Sequence, residues 1–272
     1  MQKLIITVAP TGSVPRKEQT SHVPVTSDEI AQCALRCEEA GASILHIHVR
    51  DEDQNPSDDP ARFQEVVDKL KGRTNLILQI STGGRAGVNL ESRVQRLACR
   101  TEMASLTTGS VNFPNSAYVN EPALVEELAR EMLRLSIKPE MECFDISMIN
   151  NALLLRDAGL AQDPLHFNFV MGLRGAIPAT LENLVHMRSC IPAGATWTVS
   201  GVGASQLNMC AHAIIMGGHV RVGLEDNIYY RKGELASNEQ LIQRMARLAE
   251  EMGREVATPD EARAILSLGG QK

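Results

Sequence analysis

The chain has 272 residues, a formal net charge of −6, 43% hydrophobic residues and 22% charged residues. Its Lys and Arg are scattered, so no basic stripe marks a nucleic-acid surface, and no apolar run reaches the ~20 residues that span a bilayer. Six dispersed cysteines without a Cys-x-x-Cys pair read as buried thiols, and Met1-Gln2-Lys3-Leu4-Ile5-Ile6 passes straight into strand-like sequence, so a cytoplasmic protein is expected.

Short apolar or β-branched runs then alternate with amphipathic stretches. A strand over 3–9 runs into Thr11-Gly12-Ser13. A helix over 27–40 follows, with Ser27 as its cap, Asp28 and Glu29 in its first turn and Gly41 at its stop. The second strand covers 43–50, with a polar loop at 51–59 and a helix over 60–71. A third strand, 76–81, enters Ser81-Thr82-Gly83-Gly84-Arg85 before a helix over 90–99. A fourth, 103–108, ends at Thr107-Thr108-Gly109-Ser110, and its helix covers 121–135. The fifth, 138–144, carries Glu140 and Glu142, and its helix over 147–158 stops at Gly159. The sixth and seventh, 165–171 and 195–200, carry Asn168 and Ser200-Gly201-Val202-Gly203, with helices over 180–189 and 206–216. The eighth, 219–224, contains Arg221 and leads to Glu225-Asp226-Asn227, with helices over 238–252 and 259–268.

Eight βα units in this length match an α/β fold of the (β/α)8 TIM-barrel type, a single domain over 1–272 with a short C-terminal helical extension. A doubly wound open sheet would show a Gly-x-Gly-x-x-Gly turn after its first strand, and Ala9-Pro10-Thr11-Gly12-Ser13 does not fit.

Barrel active sites form at the C-terminal strand ends. On the second strand, His46 and His48 share a face because side chains alternate, while Leu45, Ile47 and Val49 take the other. Two imidazoles so placed reach one metal ion; two hydrogen-bonded core histidines are the alternative. Glu225 is the best third ligand, since the eighth strand closes onto the first, with the second one step further. Two His and one carboxylate leave a coordination position open for a substrate. Arg221 in an apolar strand needs an anionic partner, and one of Glu140 and Glu142 is expected to be paired or site-facing. Ser81, Thr82, Gly83 and Thr107 sit where a substrate would meet the strand ends; Ser81-Thr82-Gly83-Gly84 reads equally as an anion cradle or a tight turn. His22, His166, His186, His212 and His219 read as structural or exposed, and no Gly-x-Ser-x-Gly elbow suggests a serine hydrolase.

The chain resembles the β-keto acid cleavage enzymes nearly from end to end. The resemblance rests on His-Ile-His-Val-Arg at 46–50, Gln-Ile-Ser-Thr-Gly-Gly at 79–84 and Thr-Gly-Ser-Val-Asn-Phe at 108–113. It continues in Pro-Glu-Met-Glu at 139–142, Pro-Leu-His-Phe-Asn-Phe-Val-Met-Gly at 164–172 and Gly-His-Val-Arg-Val-Gly-Leu-Glu-Asp-Asn at 218–227. It implies the barrel fold, Zn²⁺ bound by His46, His48 and Glu225, and an arginine and aspartate at Arg221 and Asp226 acting on substrate and thioester. It places the family's strand-end serine at Ser81, its fifth-strand glutamate at Glu142 and its fourth-strand hydroxyl at Ser105. The implied reaction joins a β-keto acid and acetyl-CoA to give acetoacetate and a new acyl-CoA, in a protein that the family suggests is a homotetramer.

One departure bears on substrate. Members that handle the amino-keto acid 3-keto-5-aminohexanoate carry Glu where this chain has Val14, which cannot pair with an ammonium group. A neutral or anionic β-keto acid is expected instead. Arg85 and Arg174 lie on βα loops within reach of a distal carboxylate, and each also reads as a surface residue. A CoA-independent metal aldolase or hydrolase and a non-catalytic metabolite-binding barrel are the other two readings.

Overall fold

The computed structural model describes residues 2–83 and 89–269. Strands β1 (Ile6–Val8), β2 (Ile44–Ile47), β3 (Ile77–Ile80) and β4 (Met103–Thr107) are joined by β5 (Lys138–Cys143), β6 (His166–Met171), β7 (Thr196–Gly201) and β8 (His219–Val222). All neighbouring pairs are parallel, and β8 pairs with β1, so the sheet closes into a barrel. Helices α1 (Ser27–Glu39), α2 (Pro60–Leu70), α3 (Leu90–Arg96), α4 (Pro122–Arg134), α5 (Ile146–Asp157), α6 (Leu181–Cys190), α7 (Gln206–Met216) and α8 (Asn238–Glu251) surround it. The (β/α)8 architecture expected from the alternation is the one observed.

Outward-facing strand residues such as Ile6, Val8, Leu45, Ile47, Leu106 and Phe167 pack under the helices in one apolar core. The inward-facing set is different in kind. The strand registers stack it in layers of four contributed by alternate strands. At the N-terminal end, Ile5 and Ile77 of one layer and Ile44 and Met103 of the next point inward and are closed over by Ala257, Ala262 and Leu266. The last two lie on α9 (Pro259–Leu266), which is held there by a parallel bridge between Leu4 and Val256 and by Lys3 ion pairs to Glu255 and Glu261. Toward the C-terminal mouth the inward residues become polar: Thr7, Gln79, Glu140 and Thr198, then His46, Ser105, Asn168 and Arg221, then Ser81, Glu142 and Ser200.

Several boundaries differ from the sequence expectation. Strand 43–50 is broken: β2 ends at Ile47, His48 leaves the barrel ladder, and Val49–Arg50 pairs antiparallel with Pro56–Ser57 inside the stretch read as a loop. The cap of α1 is Thr26, not Ser27; its hydroxyl accepts from Glu29 N, and the Glu29 carboxylate accepts from Thr26 N, a capping box one residue earlier. Asp145 caps α5, whose first helical residue is Ile146. α3 is shorter than the 90–99 expected, giving way to a 3₁₀ turn at Leu97–Cys99. The eighth strand ends at Val222, and the turn at Gly223, rather than strand alternation, presents Glu225.

Candidate active site

His46 sits on β2 and His48 one residue beyond its end, and both rings turn to the barrel axis with centroids 5.1 Å apart. Glu225 Oε1 lies 3.4 Å from His48 Nε2 and 3.9 Å from His46 Nε2. The ligand-type atoms of these three residues all lie within 4.8 Å of one another. A tetrahedral ion with bonds of about 2.0–2.1 Å spaces its ligands about 3.4 Å apart, so the trio needs only a small closure to hold one. The donor set fits in other respects. Glu225 Oε2 is buried without a hydrogen-bond partner. His46 Nδ1 contacts Gln79 Oε1 at 2.6 Å. An amide oxygen only accepts, so Nδ1 carries the proton and Nε2 keeps its lone pair toward Glu225, the arrangement a metal-binding imidazole requires. Burial, aided by Arg221, lowers His46 to about 4 and keeps the ring neutral.

Arg221 on β8 is the hub of the second group. Its Nε and Nη2 donate to Asp226 Oδ2 and Oδ1 at 2.9 and 3.0 Å, a bidentate pair. Nη2 also donates to Glu225 Oε1 at 2.5 Å, and Nη1 to Glu142 Oε1 at 3.4 Å. Thr107 Oγ1 holds the other Glu142 oxygen at 2.8 Å. Three carboxylates, Glu142 buried and Glu225 and Asp226 half-buried, thus share one guanidinium, and two negative charges are in excess when all three are ionised. Burial raises Glu142 to about 7, with Arg221 opposing and Glu140 adding. Burial and the neighbouring Glu225 likewise raise Asp226 to about 6. Burial would also raise Glu225, but Arg221 and the two histidines outweigh it and hold it well below the usual carboxylate range.

The backbone around this cluster is shaped for it. A Cβ on Gly12, whose φ is +55°, would stand 2.4 Å from Glu225 Cγ. A Cβ on Gly223 would meet Ala9 O at 2.1 Å, and Glu225 N donates to that same carbonyl at 3.1 Å. Arg50 is buried and donates to the carbonyls of Thr11, Gly12, Gln54 and Pro15, tying down the loop after β1. Arg93 and Arg96 of α3 are buried as well and donate to the carbonyls of Ser81, Thr82 and Gly83.

The expected substrate residues divide. Ser81, Ser105 and Thr107 are buried inward-facing residues below the mouth. Ser81 Oγ accepts from Gly83 N, and Ser105 Oγ accepts from Thr82 N. Thr82 spends its hydroxyl on Ser105 O at 2.6 Å, which joins the ends of β3 and β4. Val14 is not part of the buried cluster; it is 62% exposed on the loop that Arg50 secures. Arg174 is exposed, and Gly84 and Arg85 lie outside the described residues. Both fifth-strand carboxylates point inward: Glu142 joins Arg221, while Glu140 lies deeper against Asn168 and His166. His219 is structural, accepting Ile5 N–H on Nδ1. Sequence reasoning met Gln79 and Arg50 only inside the quoted motifs and gave them no role, and it missed Arg93 and Arg96. Its strongest neglected signal was polar or charged residues at positions that the apolar periodicity assigns to the interior.

A second set, Cys33, Cys37 and Glu239, also brings ligand-type atoms within 4.8 Å. There the Cys33 contact and burial push the Cys37 thiol well up, and Arg36 holds Glu239 at 2.6 Å, so the set is a packed thiol pair between α1 and α8.

A closed parallel barrel with an ionisable cluster concentrated at its C-terminal mouth defines a barrel enzyme. Solved structures agree on the fold: apo ObcA aligns with a TM-score of 0.78 at 20% identity, covering 91% of this chain and 66% of that one. The family model described as beta-keto acid cleavage enzyme matches residues 3–268. The chain is 45% identical over 271 residues to the 3-keto-5-aminohexanoate cleavage enzyme of Fusobacterium nucleatum subsp. nucleatum, covering 98% of this chain and 99% of the relative. It is 46% identical over 272 residues to the 3-oxoadipate:acetyl-CoA acetyltransferase of Cupriavidus necator, covering 98% of this chain and 95% of the relative. The chain therefore belongs to the β-keto acid cleavage enzyme family.

Proposed function

We propose that the protein is a zinc-dependent acyltransferase that converts a β-keto acid and acetyl-CoA into acetoacetate and a new acyl-CoA. The observation that carries the metal part is the charge balance of the mouth. Glu142, Glu225 and Asp226 face one Arg221, and a divalent cation between His46, His48 and Glu225 offsets the two excess charges. Bound there, zinc acts as a Lewis acid toward the keto acid. Arg221 places a fixed positive charge where negative charge grows on the reacting carbonyl. Asp226, held in both directions by Arg221, sits near neutrality in affinity for a proton and is able to exchange one. Glu142 with Thr107, and the hydroxyls of Ser81 and Ser105, line the inner wall against which the substrate is oriented, with Thr82 and Gly83 shaping the turn above them. Relatives of nearly equal identity act on an amino-keto acid and on 3-oxoadipate by name. Val14 supports a neutral or anionic substrate for this chain. A cytoplasmic homotetramer belongs to the same proposal, and light scattering of the purified protein checks the assembly.

The test is a panel of β-keto acids incubated with zinc-loaded protein, with and without acetyl-CoA, following acetoacetate by mass spectrometry. Acetoacetate formed only with acetyl-CoA is the expected result. Turnover without acetyl-CoA would replace the reading with a CoA-independent metal enzyme. Binding of keto acids without turnover would leave a metabolite-binding barrel. A highest kcat/KM on 3-keto-5-aminohexanoate would overturn the role given to Val14.

A further inference from the structure

The layer of the barrel interior directly beneath His46 is formed by Thr7, Gln79, Glu140 and Thr198, one residue from each of β1, β3, β5 and β7. All four are fully buried. Thr7 Oγ1 and Gln79 Nε2 have no hydrogen-bond partner, and Glu140 Oε2 has only a long 3.4 Å approach to His166 Nε2. An under-satisfied polar atom in a barrel core is costly, and three in a single layer call for a common partner. Their chemistry is complementary. The Gln79 amide donates, the Glu140 carboxylate accepts, and the Thr7 hydroxyl does either. A water molecule takes one hydrogen bond and gives two, which satisfies all three, and buried waters make about three such bonds.

The same layer is wired on both sides. Gln79 Oε1 fixes His46 Nδ1 from below. Glu140 Oε1 accepts from Asn168 Nδ2 at 3.1 Å, Asn168 Oδ1 accepts from Ser200 Oγ at 2.8 Å, and Glu140 Oε2 lies 3.4 Å from His166 Nε2. We propose that Thr7, Gln79 and Glu140 grip a buried water that locks the Gln79 amide in the orientation His46 needs to bind a metal. Gln79, Thr7 and Glu140 are then positioning residues, acting through His46. The structural part stands alone; the part about metal affinity rests on the zinc reading above.

Two measurements test it. A high-resolution crystal structure of the protein is expected to show one fully occupied water within about 2.6–3.2 Å of all three atoms. A dry gap, or a Gln79 amide bonded directly to Glu140, overturns the proposal whatever the variants do. Zinc affinity is then read by chelator competition without substrate, alongside the Tm of the metal-free protein. Gln79→Leu is expected to weaken zinc by about 10–100-fold, the usual size of an outer-shell partner's effect, and Gln79→Glu to restore it. Thr7→Val is expected to weaken zinc several-fold alone and to change nothing further in the Gln79→Leu background. Equal losses in both backgrounds, or a fall in Tm with zinc affinity unmoved, would make these residues merely structural. Wild-type protein that binds no zinc would sink the metal reading instead, while the crystal structure still decides the water.

Discussion

At one end of the barrel, Ile5, Ile44, Ile77 and Met103 close the interior with apolar contacts sealed by α9. At the other, Glu142, Glu225, Asp226, His46 and Arg221 are packed within a few ångströms of one another. Both ends are largely buried, yet they do opposite things for the fold. Burying an aliphatic side chain contributes about 1.5–3 kcal/mol, whereas collecting like charges away from water costs stability unless a counter-charge arrives. The floor holds the strands in register, and that register lets the mouth hold carboxylates that would otherwise drift apart into solvent.

Substitutions at the two ends are expected to separate stability from chemistry. His48→Ala removes a candidate ligand on a half-buried side chain. It is expected to lower kcat/KM by about a thousandfold or more and to abolish stoichiometric zinc, while the Tm of the metal-free protein stays within a few degrees. Metal analysis and calorimetry check it together, and a large fall in Tm with zinc retained would break the comparison. Ile44→Ala on the floor should do the reverse, losing about 2–5 kcal/mol of stability in denaturant melts with zinc per folded chain unchanged. Gly12→Ala tests the frame between them. Its φ of +55° and the 2.4 Å approach to Glu225 predict a displaced carboxylate. Zinc affinity, read by chelator competition, is expected to drop by about 10–100-fold.

At the outer mouth, Val14→Glu introduces a partner for an ammonium group. It is expected to raise kcat/KM for 3-keto-5-aminohexanoate relative to an anionic keto acid by about tenfold, and an unchanged ratio would remove Val14 from specificity. The smallest expected effect is on pH. Burial raises Glu142 from 4.5 to about 7 in the folded protein. The metal-free folded state therefore holds a proton that the unfolded chain releases between those values, so stability is fullest below the lower one and declines as pH rises through the higher. Thermal melts of metal-free protein should show Tm falling across that window, and Glu142→Gln should flatten the decline. A Tm that rises over the same range would contradict the cause assigned to Glu142.

Much of this was legible in the chain. The alternation of apolar runs and amphipathic stretches is a local signal, and it specified eight βα units. Period-2 alternation put His46 and His48 on one face, and the closure of an eight-stranded barrel brought the Glu225 turn to them. The errors were local as well. Thr26 and Glu29 form a capping box that an eye on Ser27 passes over, and the strand through His48 ends early because Val49–Arg50 finds a different partner at Pro56–Ser57.

What the sequence by itself determined is the set of elements and the facing of residues along each of them, because those depend on neighbours within a few positions. Tertiary structure alone decided which residues meet across strands. Strand register set Gln79 under His46 and the under-satisfied atoms of Thr7 and Glu140 in Gln79's layer. Long-range packing drove Gly12 against Glu225, sent Arg93 and Arg96 beneath the loop at 81–83, and laid α9 across the floor. Contacts of that kind join residues from 11 to more than two hundred positions apart, and they exist only once the barrel has closed and its stagger has chosen a height for every side chain.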